Sequence, residues 1–363
     1  MGKKVATEFE SAPVNTKGPH VRIVDSHFHW WPRSIWNALC ERNGFPRAER
    51  NGDGYRYYRS AGPQPPGLNP WPEWFDLDKQ FEYMDKAFGQ DVAAFGSIGP
   101  FSVHFSELPV SEGREAAIEW NEEMAGAQRK YPGRFWASAA VPLVDTGVAL
   151  DVLEDAIFRL GLKGVNLPGS VGSDPRIDHE RLEPFYDRVE ALDLPLFLHP
   201  TDAVFADMLS DGYGGALHLS LGRVVEVSTA AMRLVFSGVM ERHPNLKLVM
   251  SHTGGALPYQ AGRMDKNGKG AKLPELPSTY LKRIYTDTVN PSALGMKFAV
   301  EFFGADHVMY GDDYPCWDPN AALGFINEAG FSEEVRTKIF STNAQRILRL
   351  DEPAPVREPA LAR

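Results

Sequence analysis

Five short motifs set ionisable residues of metal-binding type along this 363-residue chain. DSHFH carries Asp25, His27 and His29; LHPTD carries His199 and Asp202; SHTGG carries His252; YTDT carries Asp287; YGDDYP carries Asp312 and Asp313. Side chains two apart on an extended strand point the same way, so the imidazoles of His27 and His29 can face one ion. Imidazole with carboxylate suits zinc, and also manganese or iron; ligand softness alone does not choose. An isolated H-x-H pattern is weak evidence of a site. Joined to His199, His252 and Asp313, it becomes specific. Asp312 competes with Asp313 as a ligand, since both follow the same apolar run. Cys316 is a further possible donor, although one cysteine without a paired partner is more often a packing residue. His243, in ERHPN, reads as a helix C-terminal residue that suits the dipole. His20, His104, His179, His218 and His307 lack comparable placement and read as surface or supporting residues.

The elements that must position these groups alternate in type. Val21 to Val24 is a short apolar run that leads into Asp25. Leu77, Phe81, Met84 and Phe88 are spaced as one stripe of a helix, followed by a buried strand from Asp91 to Ile98. Ala117, Trp120, Met124, Ala127 and Tyr131 mark a second helix, stopped at Pro132-Gly133. Strands are then expected at Phe135 to Val141, Leu162 to Leu167, Pro195 to Leu198, Leu246 to Met250, Arg283 to Thr286 and Val308 to Tyr310, with helical stripes between them. Alternating βα units imply parallel strands and right-handed crossovers. Eight of them point to an α/β fold, a (β/α)₈ TIM barrel, with catalytic groups at the C-terminal ends of the strands. The alternative, an open doubly wound sheet, lacks a Gly-rich phosphate loop after any strand.

The expected organisation is a flexible arm over 1–18, one catalytic domain over 19–350 and a tail over 351–363. Within the domain, about 30–75 reads as a long insertion after the first strand, rich in Pro, Gly, Arg, Tyr and Trp and without sustained periodicity. A segment of that kind serves as a lid or pocket wall, or as a surface excursion packed by its own aromatics. The formal net charge of −10 argues against nucleic acid or an anionic membrane as partner. Two cysteines are too few for a disulfide framework, and with no apolar leader the expected compartment is the cytoplasm.

Taken in order, DSHFH, GLKGVNLPG, LFLHP, SGVMERHPNLKLVMSHTGGALPYQAGR, YTDT, YGDDYP and STNAQRIL resemble the amidohydrolase-related family, over about Val21 to Leu350. That family includes aminocarboxymuconate-semialdehyde, γ-resorcylate and carboxyvanillate decarboxylases. The resemblance implies a single divalent ion, zinc first and manganese as the alternative, held by His27, His29, His199 and Asp313. It implies that His252 acts on water or substrate and does not bind the metal, with Asp313 as a second proton carrier. It also implies that Arg263 reaches the substrate carboxylate of a neighbouring subunit, hence a homodimer or larger homo-oligomer. Thr201 and Cys316 stand where aromatic residues are common in the family, so the pocket should differ. Arg56, Arg59, Trp30 and Trp317 are candidates to meet the substrate there. Asn166 occupies the place where a two-metal site would need a lysine, which favours one ion.

The reaction so implied is non-oxidative decarboxylation of an aromatic or muconate-like carboxylic acid. Two readings compete with it. The same site could hydrolyse an amide, lactone or C–C bond, and a barrel could bind a ligand without catalysis.

Overall fold

The computed structural model describes residues 21–59, 72–201, 209 and 213–353. The expected arm, most of the tail, His20 and Asp202 lie outside the described residues. Strand β1 (Ile23–His29) is followed by β2 (Arg47–Asn51), β3 (Gly54–Tyr58), β4 (Val92–Ser97), β5 (Phe135–Ala139), β6 (Gly164–Pro168), β7 (Pro195–His199), β8 (Lys247–Met250) and the two-residue β9 (Tyr285–Thr286). β1 and β4 to β9 form one parallel sheet in chain order, while β2 and β3 pair antiparallel by themselves.

The eighth expected strand has a different form. Residues 308–314 make isolated bridges instead of a regular ladder, yet they join the two sheet edges. Met309 N–H donates to Thr286 O at 2.8 Å, Ser26 N–H to Tyr310 O at 2.8 Å and His29 N–H to Tyr314 O at 2.8 Å. Asp313 has a left-handed backbone (φ 60°) and its N–H donates to His27 O at 2.9 Å. A left-handed residue cannot continue a strand, so the last stave closes the barrel while turning across its rim.

The helices follow their predicted stripes. Leu77–Phe88 is capped by Asp76, whose side chain accepts from Lys79 N–H, and ends at the left-handed Gly89. Its Leu77, Phe81, Met84 and Phe88 are all buried against the sheet. Inside the barrel a separate apolar layer is built from Val24, Ala93, Phe95, Trp136, Phe197, Val249 and Met309. Phe95 and Phe197 stack at 4.7 Å. A Cβ at Gly164 would come within 3.0 Å of Phe95 and 3.1 Å of Phe197, so β6 contributes space for that stack. Ile347, Leu348 and Leu350 at the chain's end cover the same layer.

The segment over 30–75 is more regular than its composition suggests. It holds a helix (Arg33–Cys40), the β2–β3 hairpin and a turn of 3₁₀ helix at Pro72–Phe75, with 60–71 outside the described residues. Its aromatics pack on one another, Trp31 on Trp74 at 4.0 Å and Trp36 on Tyr55 at 5.6 Å, and Trp36 also meets Phe101, beyond β4, at 5.0 Å. The elements are too short for periodicity to reveal; the Asn51-Gly52 dipeptide at the hairpin turn was the available signal. No helix among the described residues is long and apolar enough to cross a membrane.

Candidate metal centre

His27 and His29 leave the end of β1 on the same side, helped by a register shift between Asp25 and Phe28. That irregularity lets Val24 join the apolar layer below while both imidazoles turn inward. His199 ends β7, and Asp313 lies in the turn that closes the barrel. One ligand atom from each of His27, His29, His199 and Asp313 lies within 4.8 Å of the other three, and all four residues are buried.

The hydrogen bonds around the cluster fix which ring nitrogen faces inward. His27 Nδ1–H donates to Asp287 Oδ2 at 2.6 Å, His29 Nδ1–H to Ser97 O at 3.2 Å and His199 Nδ1–H to Pro200 O at 2.7 Å. The three Nε2 atoms and Asp313 Oδ1 are buried without a hydrogen-bond partner. Asp313 Oδ1 lies 2.9 Å from His29 Nε2 and 3.4 Å from His27 Nε2. Buried polar atoms left unpaired are destabilising. Three Nε2 atoms and a carboxylate oxygen converging on one point form the donor set of a divalent ion. The residues fit the metal that the resemblance implies.

Charge reinforces this. Burial works against ionised Asp313, but His27 and His29 outweigh it and hold its carboxyl well below the usual range. Burial pushes His199 and His29 down, so both are neutral ligands. His27 is the exception: burial opposes its charge, yet Asp287 and Asp313 raise it well above an ordinary imidazole. The alternative ligand Asp312 is committed elsewhere. Its Oδ2 accepts from Tyr310 O–H at 2.6 Å and its Oδ1 from Tyr314 N–H at 2.9 Å, and burial lifts its carboxyl to about 6. Cys316 donates its N–H to Asp313 O at 2.7 Å and stands outside the four-residue cluster.

His252 sits beside the cluster without belonging to it. Its Nε2 is 3.9 Å from Asp313 Oδ2, and its ring stacks on His27 at 5.5 Å. Burial lowers its pKa to about 4, so the imidazole is neutral at pH 7. His252 (φ 58°) and Thr253 (φ 53°) are both left-handed, a conformation that costs about 1–3 kcal/mol per residue.

The remaining expected residues are dispersed. Arg263 is exposed on the helix Leu257–Asn267 and makes no hydrogen bond or ion pair among the described residues. Arg56 is exposed on β3 and stacks on Tyr58 at 5.2 Å. Arg59 is bonded to Glu107. Trp30 packs edge-on against Phe135 at 6.1 Å, whereas its neighbour Trp31 stacks on His29 at 6.0 Å and donates Nε1–H to Ile98 O at 3.0 Å. Trp317 is 39% exposed beside Asp313. Thr201 is buried and its N–H donates to Glu226 Oε1 at 2.9 Å. Asn166 donates to Ala139 O at 3.0 Å and accepts from Ser138 O–H at 3.0 Å. Sequence reasoning did not give roles to Asp287, Ser97 or Trp31. Only Asp287 carried a signal, as one more carboxylate at a strand end than a single site requires.

Residues 24–350 match the model of a protein family described as amidohydrolase. The chain belongs to the amidohydrolase family. Among curated family relatives, γ-resorcylate decarboxylase of Rhizobium sp. (strain MTP-10005) is 31% identical over 253 residues, covering 65% of this chain and 77% of that protein. Among solved structures, 5-carboxyvanillate decarboxylase of Sphingomonas paucimobilis superposes with a TM-score of 0.77 at 23% identity, over 91% of this chain and 99% of that one. A dihydroxybenzoic acid decarboxylase of Polaromonas sp. JS666, with bound manganese and the inhibitor 2-nitroresorcinol, gives 0.74 at 24% identity, over 91% and 98%. These structures share the TIM-barrel architecture expected of amidohydrolases.

Proposed function

We propose that this chain is a metal-dependent, non-oxidative decarboxylase of an aromatic or muconate-like carboxylic acid. The observation that carries the reading is the convergence of three unpaired Nε2 atoms and Asp313 Oδ1, with neutral His252 beside them. The names of the relatives supply the reaction class.

His27, His29, His199 and Asp313 would hold one divalent ion. Manganese is the first to test, given the Polaromonas structure, and zinc the second. A bound ion would supply Lewis-acid polarisation of an oxygen of the substrate or of water. The neutral His252 takes the proton of the substrate's carboxylic acid group and delivers it to the carbon that loses CO₂ as the C–C bond breaks. Asp313 Oδ2 is the second candidate for carrying that proton. Arg56, Arg59 and Trp317, with Trp30 at the end of β1, are the proposed substrate contacts. Arg56 is the freer of the two arginines, since Arg59 is bonded to Glu107.

We place the active form in the cytoplasm as a homodimer in which Arg263 meets the substrate carboxylate across the interface. Tyr259 and Leu294, 81% and 77% exposed on the packed helices Leu257–Asn267 and Ala293–Phe303, support such a contact. The domain remains one catalytic unit over 19–350, with the 30–75 segment as pocket wall. The test is CO₂ release from γ-resorcylate, 5-carboxyvanillate and related acids by manganese-loaded protein. Product lacking the carboxyl, with equimolar CO₂, is expected; hydrolysis of amide or lactone substrates without CO₂ overturns the reading.

A further inference from the structure

We propose that Asp287 is a positioning residue that couples occupancy of the metal site to the placement of His252. It is buried beyond the end of the two-residue β9, and no ligand role falls to it. Both its oxygens are fully used. Oδ2 accepts from His27 Nδ1–H at 2.6 Å and from His252 N–H at 3.1 Å. Oδ1 accepts from Thr253 N–H at 3.0 Å and from Val289 N–H at 3.0 Å. One carboxylate therefore holds a metal-ligand imidazole and two successive left-handed residues of the SHTGG turn. Consecutive N–H groups in such a turn converge into a concavity that suits an anion.

The two sides of Asp287 depend on each other. A cation held on His27 Nε2 would pin the ring in one orientation, and with it the Nδ1–H that Asp287 Oδ2 accepts, which fastens that oxygen in place. The same oxygen anchors His252 N–H, so the turn that carries His252 tightens when the metal binds. Linkage requires the converse: loosening the turn weakens the metal. The neighbouring contacts leave Asp287 as the coupling element, because His29 and His199 direct their Nδ1–H groups to main-chain oxygens and not to the turn. The functional meaning of a placed His252 rests on the decarboxylase reading; the coupling does not.

Two measurements free of substrate test it. In the wild-type protein, amide hydrogen exchange at His252 and Thr253 should slow by roughly tenfold or more when one equivalent of manganese is added. In Asp287→Asn, which keeps the shape but replaces one acceptor oxygen with a donor, chelator competition should show manganese held about 10–100-fold more weakly. Exchange in its turn should no longer respond to metal. Wild-type exchange that is unchanged by manganese overturns the coupling, even if the variant does not fold. So does an Asp287→Asn protein that binds manganese as tightly as wild type. Absence of CO₂ release would overturn the decarboxylase reading and leave this coupling standing.

Discussion

Along β1, Val24 and His27 are three residues apart, yet one belongs to an apolar layer and the other to the donor cluster. The same division holds around the barrel. Phe197 lies under His199 on β7, and Val249 lies under the SHTGG turn after β8. The lower layer is packed, satisfied and covered by the last helix. The upper layer contains left-handed backbone, buried carboxylates and unpaired nitrogens. One set of strands thus separates stability from chemistry along its length, and the stable end tolerates the strain of the other. Substitutions in the two layers should therefore fail in different ways.

The largest effect is expected in the upper layer. His199→Ala or Asp313→Asn should abolish metal retention and take turnover to background, with a cooperative thermal transition preserved; full activity in either variant would break the division. His252→Gln should lower kcat by roughly 10²–10⁴-fold, the usual contribution of a general acid–base group. Its metal content should stay at the wild-type level, which elemental analysis would check. In the lower layer, Phe95→Ala removes a fully buried ring from its stack with Phe197 and should destabilise the fold by about 3–5 kcal/mol in urea unfolding. Its metal stoichiometry should be unchanged while it remains folded.

The smallest effect lies outside both layers. Burial, with Arg42 nearby, holds His104 down at about 3, against an ordinary value of 6.5. Between those values the unfolded chain binds one proton more than the folded chain. Stability from this group is thus present above about pH 6.5 and lost as pH falls, by about 1.4 kcal/mol per unit. Unfolding titrations of His104→Leu from pH 6.5 to pH 4 should show a slope shallower by one proton. An identical slope would mean that His104 already titrates normally in the folded protein.

Local pattern made the helices and the ligand motifs legible. A helix stripe such as Leu77, Phe81, Met84 and Phe88 is written in consecutive turns, and H-x-H at a strand end is written in three residues. Asp313 over Asp312 came from the resemblance, and the structure gives its reason: Asp312 is bonded to Tyr310 O–H. What pattern could not show is fixed by distant partners. Asp287 reads as any strand-end carboxylate until the SHTGG turn, 34 residues earlier, folds onto it. Arg59 reads as an available cation until Glu107 is brought to it. The eighth stave reads as a strand because its apolar run is sound, but its hydrogen bonds are isolated bridges. Trp30 and Trp31 are alike in sequence; the turn after β1 sets one against Phe135 and the other against His29.

The central claim is one divalent ion on four converging donors. Its most direct test is an equilibrium titration of metal-free protein with manganese, read together with elemental analysis of the dialysed product. One ion per chain is expected, reduced to none by His29→Ala. Two ions per chain, or one ion retained by that variant, would contradict it.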